Sequence, residues 1–125
     1  MKPSPEDKMT KGCDYYVSLS AESQLATVVS YYRETDSTKG LQAAEQLIAE
    51  YPAKGCTKLF VGWAHFYAAR FLEKMGRPQD AFSHYEQIIS IHKSLPFKAK
   101  EMDIVRLAAV QLAKMGKVWT SGPFD

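Results

Sequence analysis

The sequence lacks the motifs that would mark a catalyst. It contains no G-x-x-x-x-G-K-[ST] phosphate loop and no G-x-G-x-x-G turn, so the common backbone cradles for nucleotide phosphates are missing. No H-E-x-x-H and no paired cysteine–histidine spacing is available to hold zinc. No G-x-S-x-G elbow is present to expose a serine nucleophile. The expectation is a chain that is not an enzyme and needs no cofactor and no metal.

Long apolar runs are also missing. No stretch approaches the ~20 apolar residues of a membrane span. The opening segment carries Lys2, Glu6, Asp7, Lys8 and Lys11 where a secretion signal would have an apolar core. No membrane contact is expected, and the expected location is cytoplasmic. Cysteine is scarce. Cys13 and Cys56 form no C-x-x-C, and two isolated cysteines fit free thiols in a reducing compartment. The alternative is one disulfide tying the N-terminal segment to the Cys56 loop.

An excess of charge of one sign is lacking too. Sixteen Lys and Arg stand against fourteen Asp and Glu, a net charge of +2, which gives no reason to expect nucleic acid. The local balance is less even. Between Lys93 and Lys117 lie Lys93, Lys98, Lys100, Arg106, Lys114 and Lys117, opposed only by Glu101 and Asp103. Such an excess would attract an acidic partner, or it is simply a solvated face.

What the chain does have is helical patterning. Its 125 residues fit one domain, and 46% apolar content is enough for a core. Residues 1–17, with two prolines, read as a flexible arm. Residues 18–117 read as the helical domain, and 118–125, with Gly122-Pro123, as an irregular tail. A first helix is predicted from Ala21 to Arg33, capped by Ser20, with Leu25, Val28, Val29 and Tyr32 at helical spacing. A second is predicted from Lys39 to Tyr51, with Leu41, Ala44, Leu47 and Ile48 forming its stripe and Pro52 ending it. The third, Lys58 to Met75, is apolar almost all round and so should be central. The fourth starts at Pro78 and runs to His92. The fifth covers Lys98 to Met115. Gly76 and Gly116 are expected as left-handed C-caps.

The third and fifth helices share a signature. Residues 69–76 read A-R-F-L-E-K-M-G and residues 109–116 read A-V-Q-L-A-K-M-G, an offset of 40. Internal similarity at such a period points to stacked helix pairs. Within 62–93, Ala69, Gly76, Ala81 and Tyr85 add a finer pattern. A small residue sits mid-way along the first helix, and a glycine stands at the turn. A small residue then comes early in the second helix, with an aromatic four residues on. This pattern resembles the tetratricopeptide repeat. Its small residues sit where two antiparallel helices cross closely, and a larger side chain would force them apart. There are departures: Ile88 stands where the family usually has alanine, and the turn between the first two helices lacks its glycine.

The resemblance implies an all-α fold of about five helices. They would form antiparallel helix-turn-helix pairs in a right-handed stack, with the fifth as a capping helix. It also implies a non-catalytic module that binds a peptide or helix of a partner protein. In such arrays the first helix of each pair lines the concave face, which makes Trp63, His65, Tyr67, Arg70, Lys74 and Arg106 the candidate partner-binding residues. Trp, Tyr and Arg dominate binding hot spots. Each has a plainer reading. The aromatics could simply fill the core. His65 could be a satisfied, partly buried histidine, and Asp80 with His84, four apart on one helix face, a surface pair. Two further functions stay open. One is a self-associating subunit, a homodimer using Trp119 and Phe124. The other is a small ligand-binding protein using His65 or His84.

Overall fold

A computed structural model describes residues 15–93 and 99–116, with backbone alone for 99–102. The described residues form five helices: α1 (Tyr15–Arg33), α2 (Ser37–Glu50), α3 (Lys58–Lys74), α4 (Pro78–Ile91) and α5 (Ala99–Lys114). A 3₁₀ turn, Gly55–Thr57, precedes α3, and no strand occurs among the described residues. The expected all-α class in adjacent helix pairs is what the chain adopts.

Helix α1 starts six residues before its predicted N-terminus. The end of the expected flexible arm, Tyr15 to Val17, is therefore helical. The reason lies at Ser20, which does not cap the helix. Its Oγ lies 2.6 Å from the Tyr51 hydroxyl at the end of α2. Gln24, one turn on, donates to Glu50 at 2.9 Å and to the Tyr51 hydroxyl at 3.2 Å. A tertiary latch thus claims the side chain that sequence alone assigns to a local cap. The rest of the arm, the tail with Trp119 and Phe124, and Cys13 lie outside the described residues.

Helices α1, α3 and α5 end alike. Two residues past the last helical position, each chain turns through the left-handed region: Thr35 at φ 58°, Gly76 at 76° and Gly116 at 77°. At the first two ends the pattern of backbone bonds is the same. The Asp36 and Arg77 amides donate back to Tyr31 and Leu72, and the Thr35 and Gly76 amides to Tyr32 and Glu73. This is the Schellman closure, which satisfies carbonyls the helix leaves open. Asp36 then caps α2, accepting from the Lys39 amide at 3.1 Å. The first turn therefore keeps the geometry although its glycine is missing, and a β-branched residue bears the strain. Left-handed backbone costs a non-glycine residue about 1–2 kcal/mol, part of which glycine gives back as unfolded-state entropy.

Helix α3 is the hub. It contacts α1, α2, α4 and α5, while α2 packs on α1 and α3, and α4 on α3 and α5. The first helices α1, α3 and α5 thus adjoin one another, with the second helices beside them. Its central place explains its all-round apolar pattern: Val61, Ala64, Ala68, Ala69, Phe71 and Leu72 are all buried. Close approach on several sides requires small residues. Ala44, Ala64, Ala68, Ala69 and Ala81 are fully buried. At Gly40 on α2 the fit is tighter still, because a Cβ there would collide with the Phe71 ring.

Two predictions follow from this geometry. Thr35→Gly raises stability by up to about 1 kcal/mol, the left-handed strain less the extra unfolded-state entropy of glycine. Urea unfolding reads this, and an unchanged midpoint would remove the strain argument. Gly40→Ala has the opposite sign to the ordinary helix preference, which favours alanine by about 1 kcal/mol. The Phe71 ring is fully buried, so a net loss of roughly 1–3 kcal/mol is expected. A gain in melting temperature would show that the ring moves freely.

Candidate functional site

On α3, residues 63, 66, 67, 70 and 74 recur at three- and four-residue steps and so share one face. This face meets the other first helices. The Tyr67 ring packs edge-on to Tyr32 of α1 at 5.2 Å, and Tyr32 is also 5.7 Å from Phe71. Trp63 stands 5.5 Å from Phe66 and 6.2 Å from Tyr67. Phe66 reaches Tyr85 of α4 at 6.0 Å. Edge-to-face contacts of this kind suit the ring quadrupoles. Trp63, Phe66 and Tyr67 are half-buried, so the row is part core and part surface. Burial, and after it the nearby Tyr32, raises the Tyr67 hydroxyl above the usual tyrosine range.

Arg70 ties this row together. Its guanidinium donates to the Gln111 side chain of α5 at 3.0 Å, to Glu73 at 3.2 Å and to the Tyr32 hydroxyl of α1 at 3.4 Å. One side chain thus spans three first helices. Arginine suits the task because its donors form a fixed fork. Glu73 in turn accepts from the Tyr85 hydroxyl at 2.5 Å. Burial, followed by the Glu73 carboxylate, pushes the Tyr85 hydroxyl far above its ordinary range, and Arg70 opposes that shift. Lys74 lies one turn beyond Arg70, exposed, with its ammonium 5.3 Å from the Tyr32 ring centre. This is a cation–π contact.

Of the six sequence candidates, the structure therefore brings Trp63, Tyr67, Arg70 and Lys74 to one face. Arg106 is exposed on α5 and bonds Asp103 on its own helix at 3.3 Å, an exposed pair of small energetic weight. His65 departs from expectation. It is only 8% exposed and does not share the exposed face. Two residues from Trp63, it lies roughly on the opposite side of α3, where its Nδ1 meets Nδ1 of His84 on α4 at 2.8 Å. The Asp80–His84 surface pair does not form as such. Asp80 instead binds Arg77 at 2.7 Å. The His65 and His84 rings engage one another through their Nδ1 atoms. Sequence reading missed Tyr32, Glu73 and Gln111 because their roles depend on which helices become neighbours. Among the described residues, no group of three or more His, Cys, Asp or Glu side chains could hold a metal.

Cys56 is disulfide-bonded, which corrects the expectation of free thiols. Cys13 is the only other cysteine in the sequence. Cys56 sits in the 3₁₀ turn that leads into α3. No helix among the described residues is long and apolar enough to cross a membrane.

The sequence model of the tetratricopeptide repeat matches residues 22–53 and 63–94. The chain belongs to the tetratricopeptide repeat family. No curated protein and no solved structure matches it. The two matched stretches have equal length and place Thr35 and Gly76 at the same turn position, Gly40 beside Ala81, and Ala44 beside Tyr85. The first pair, whose turn lacks the glycine, is thus a matched repeat with Thr35 in the glycine's place. The residues between the two matches hold the Cys56 turn and the first turn of α3.

Tyr85→Phe checks the network beneath the candidate face. It removes the hydroxyl from the Glu73 carboxylate, and bonds to charged groups contribute about 1.5–3 kcal/mol. Urea unfolding should show a loss in that range, with α-helical content unchanged by circular dichroism. A loss under about 0.5 kcal/mol would mean that water replaces the hydroxyl.

Proposed function

We propose that the chain is a protein-interaction module that binds an acidic segment of a partner along the first-helix face. Tetratricopeptide repeats generally mediate protein–protein contact, and the aromatic row bridged by Arg70 is the observation that supports this face. Trp63 and Tyr67 supply rigid, half-buried contact area at low entropic cost. Lys74 supplies an exposed positive charge beside it, while Arg70 is paired with Glu73 and Arg106, on the neighbouring helix, with Asp103. Arg70 is already oriented by three partners, so a carboxylate that reaches it meets a preorganised donor. Nothing in this reading needs catalysis.

A second reading is self-association. Leu107 and Val110 on α5 are 40% and 43% exposed, and Tyr15, Tyr16 and Leu19 on α1 are exposed as well. Both end helices thus carry uncovered apolar side chains. Light scattering across a concentration series separates the readings, because a strict monomer removes the second. The expected cytoplasmic location sits poorly with the bonded Cys56, since disulfides persist mainly in oxidising compartments. We therefore favour an oxidising compartment.

The binding reading is tested with paired peptide pools, one rich in Asp, Glu and aromatics, the other with the acids replaced by Lys. The acidic pool should shift the Trp63 indole and Arg70 side-chain resonances and the basic pool should not. Lys74→Glu, at an exposed site, should weaken binding by roughly tenfold without unfolding the domain, in line with a hot-spot contribution of 1–2 kcal/mol. Equal binding of both pools, or shifts confined to other faces, would sink the proposal.

A further inference from the structure

All three histidines of the chain gather along one seam, where α4 packs on α3. His65 and His84 face each other through their Nδ1 atoms at 2.8 Å, with ring centres 5.0 Å apart. His92, at the C-terminal end of α4, is fully buried. Its ring lodges against Gly62 of α3, so closely that a Cβ there would strike its Nε2. None of this chemistry serves the first-helix face, because His65 points away from it.

The pair has a simple proton rule. With no added proton, one Nδ1 carries hydrogen and donates to the lone pair of the other. A first added proton is tolerated, because an imidazolium can donate to a neutral imidazole across the same contact. Glu45 of α2 and Asp80 of α4 face His84 with negative charge and support this state, although Asp80 is shared with Arg77. A second proton is different. Both Nδ1 atoms then carry hydrogen, the two hydrogens point into one another, and two cations face each other in a partly buried seam. His92 faces His65 from the same side and adds to the repulsion when charged. We propose that the His65–His84 contact is an acid-operated latch: double protonation separates α4 from α3, and the loosened α3 releases whatever the first-helix face holds. The latch rests on the fold alone, and only the release step rests on the binding reading.

The sign can be worked through. Burial, and then His84 and His92, depress His65 from its ordinary value of 6.5 to about 4, and burial lowers His84 as well. The unfolded chain therefore binds more protons than the folded one between these limits. Stability is fully present above pH 6.5 and is lost as pH falls toward 4.

The test is urea unfolding of the full chain at pH 7.5 and pH 5, with His84→Gln as the comparison. Glutamine keeps a hydrogen-bonding group but cannot charge. The folding equilibrium of the native sequence should fall on the order of tenfold more than that of H84Q on acidification. Equal pH dependence in the two chains overturns the latch. Should H84Q fail to fold, the histidine ring resonances of the native chain decide: His65 must titrate well below the ordinary range, and a midpoint at or above 6.5 overturns the proposal. Amide exchange should show α4 opening before α1 and α2 as pH falls, and uniform opening also counts against it. If acid opens the seam but acidic peptides bind at neither pH, the latch stands and the binding reading fails. If peptides bind and remain bound while α4 opens, the release step is overturned.

Discussion

The fold depends on a single packing constraint: α3 must be approached closely from several sides at once. A helix can meet four neighbours only if the crossing points carry little bulk. The chain meets this with alanines at 64, 68 and 69, and with Gly62 under the His92 ring. The neighbours answer in kind with Gly40, Ala44 and Ala81. Large side chains then go where the small ones leave room, as Phe71 does over Gly40. Small residues alone would bury too little apolar surface to hold the domain. Phe71, Leu72, Tyr85, Ile88, Ile104 and Leu112 provide that area, and the small residues allow them to reach it.

This constraint also governs how much was legible in the sequence. The helices α3 and α4 read correctly to within a residue because local signals agree with the tertiary outcome there. Pro78 starts α4, Gly76 closes α3, and the apolar pattern fits. The start of α1 did not read correctly. Ser20 is a good cap by composition, but Tyr51 takes its hydroxyl across 31 positions of sequence. The first turn misled for a related reason. The missing glycine departs from the family pattern, whereas Thr35 occupies the left-handed position at a cost that the closure bonds offset. In both places non-local contacts override a local preference.

The candidate site divides in the same way. Trp63, Tyr67, Arg70 and Lys74 could be assigned to one face from helical spacing alone. His65 could not be excluded from it, because a polar residue on a mostly apolar helix carries no label for the side it faces. What the sequence did not show was the partner list of Arg70. Tyr32 and Gln111 are separated from it by 38 and 41 positions, and only stacking of α1, α3 and α5 brings them together. Glu73 had a local signal, three residues from Arg70, but its second partner Tyr85 comes from α4.

The two polar systems of α3 are therefore complementary in design. On one side, Arg70 and Glu73 are opposite charges that satisfy each other and link α1, α4 and α5 to the hub. On the other side, His65 and His84 hold α4 through a bond that exists only while a proton is missing. The same helix pair is thus fastened twice, once by Tyr85 to Glu73 and once by His84 to His65. The first fastening lies next to the candidate binding face and the second lies away from it. The second fastening lies away from the face, so an effect of acid on it reaches the face through the body of α3. A closely packed helix, with small residues at its crossing points, is suited to transmit such a shift, because it has little slack in which to absorb it.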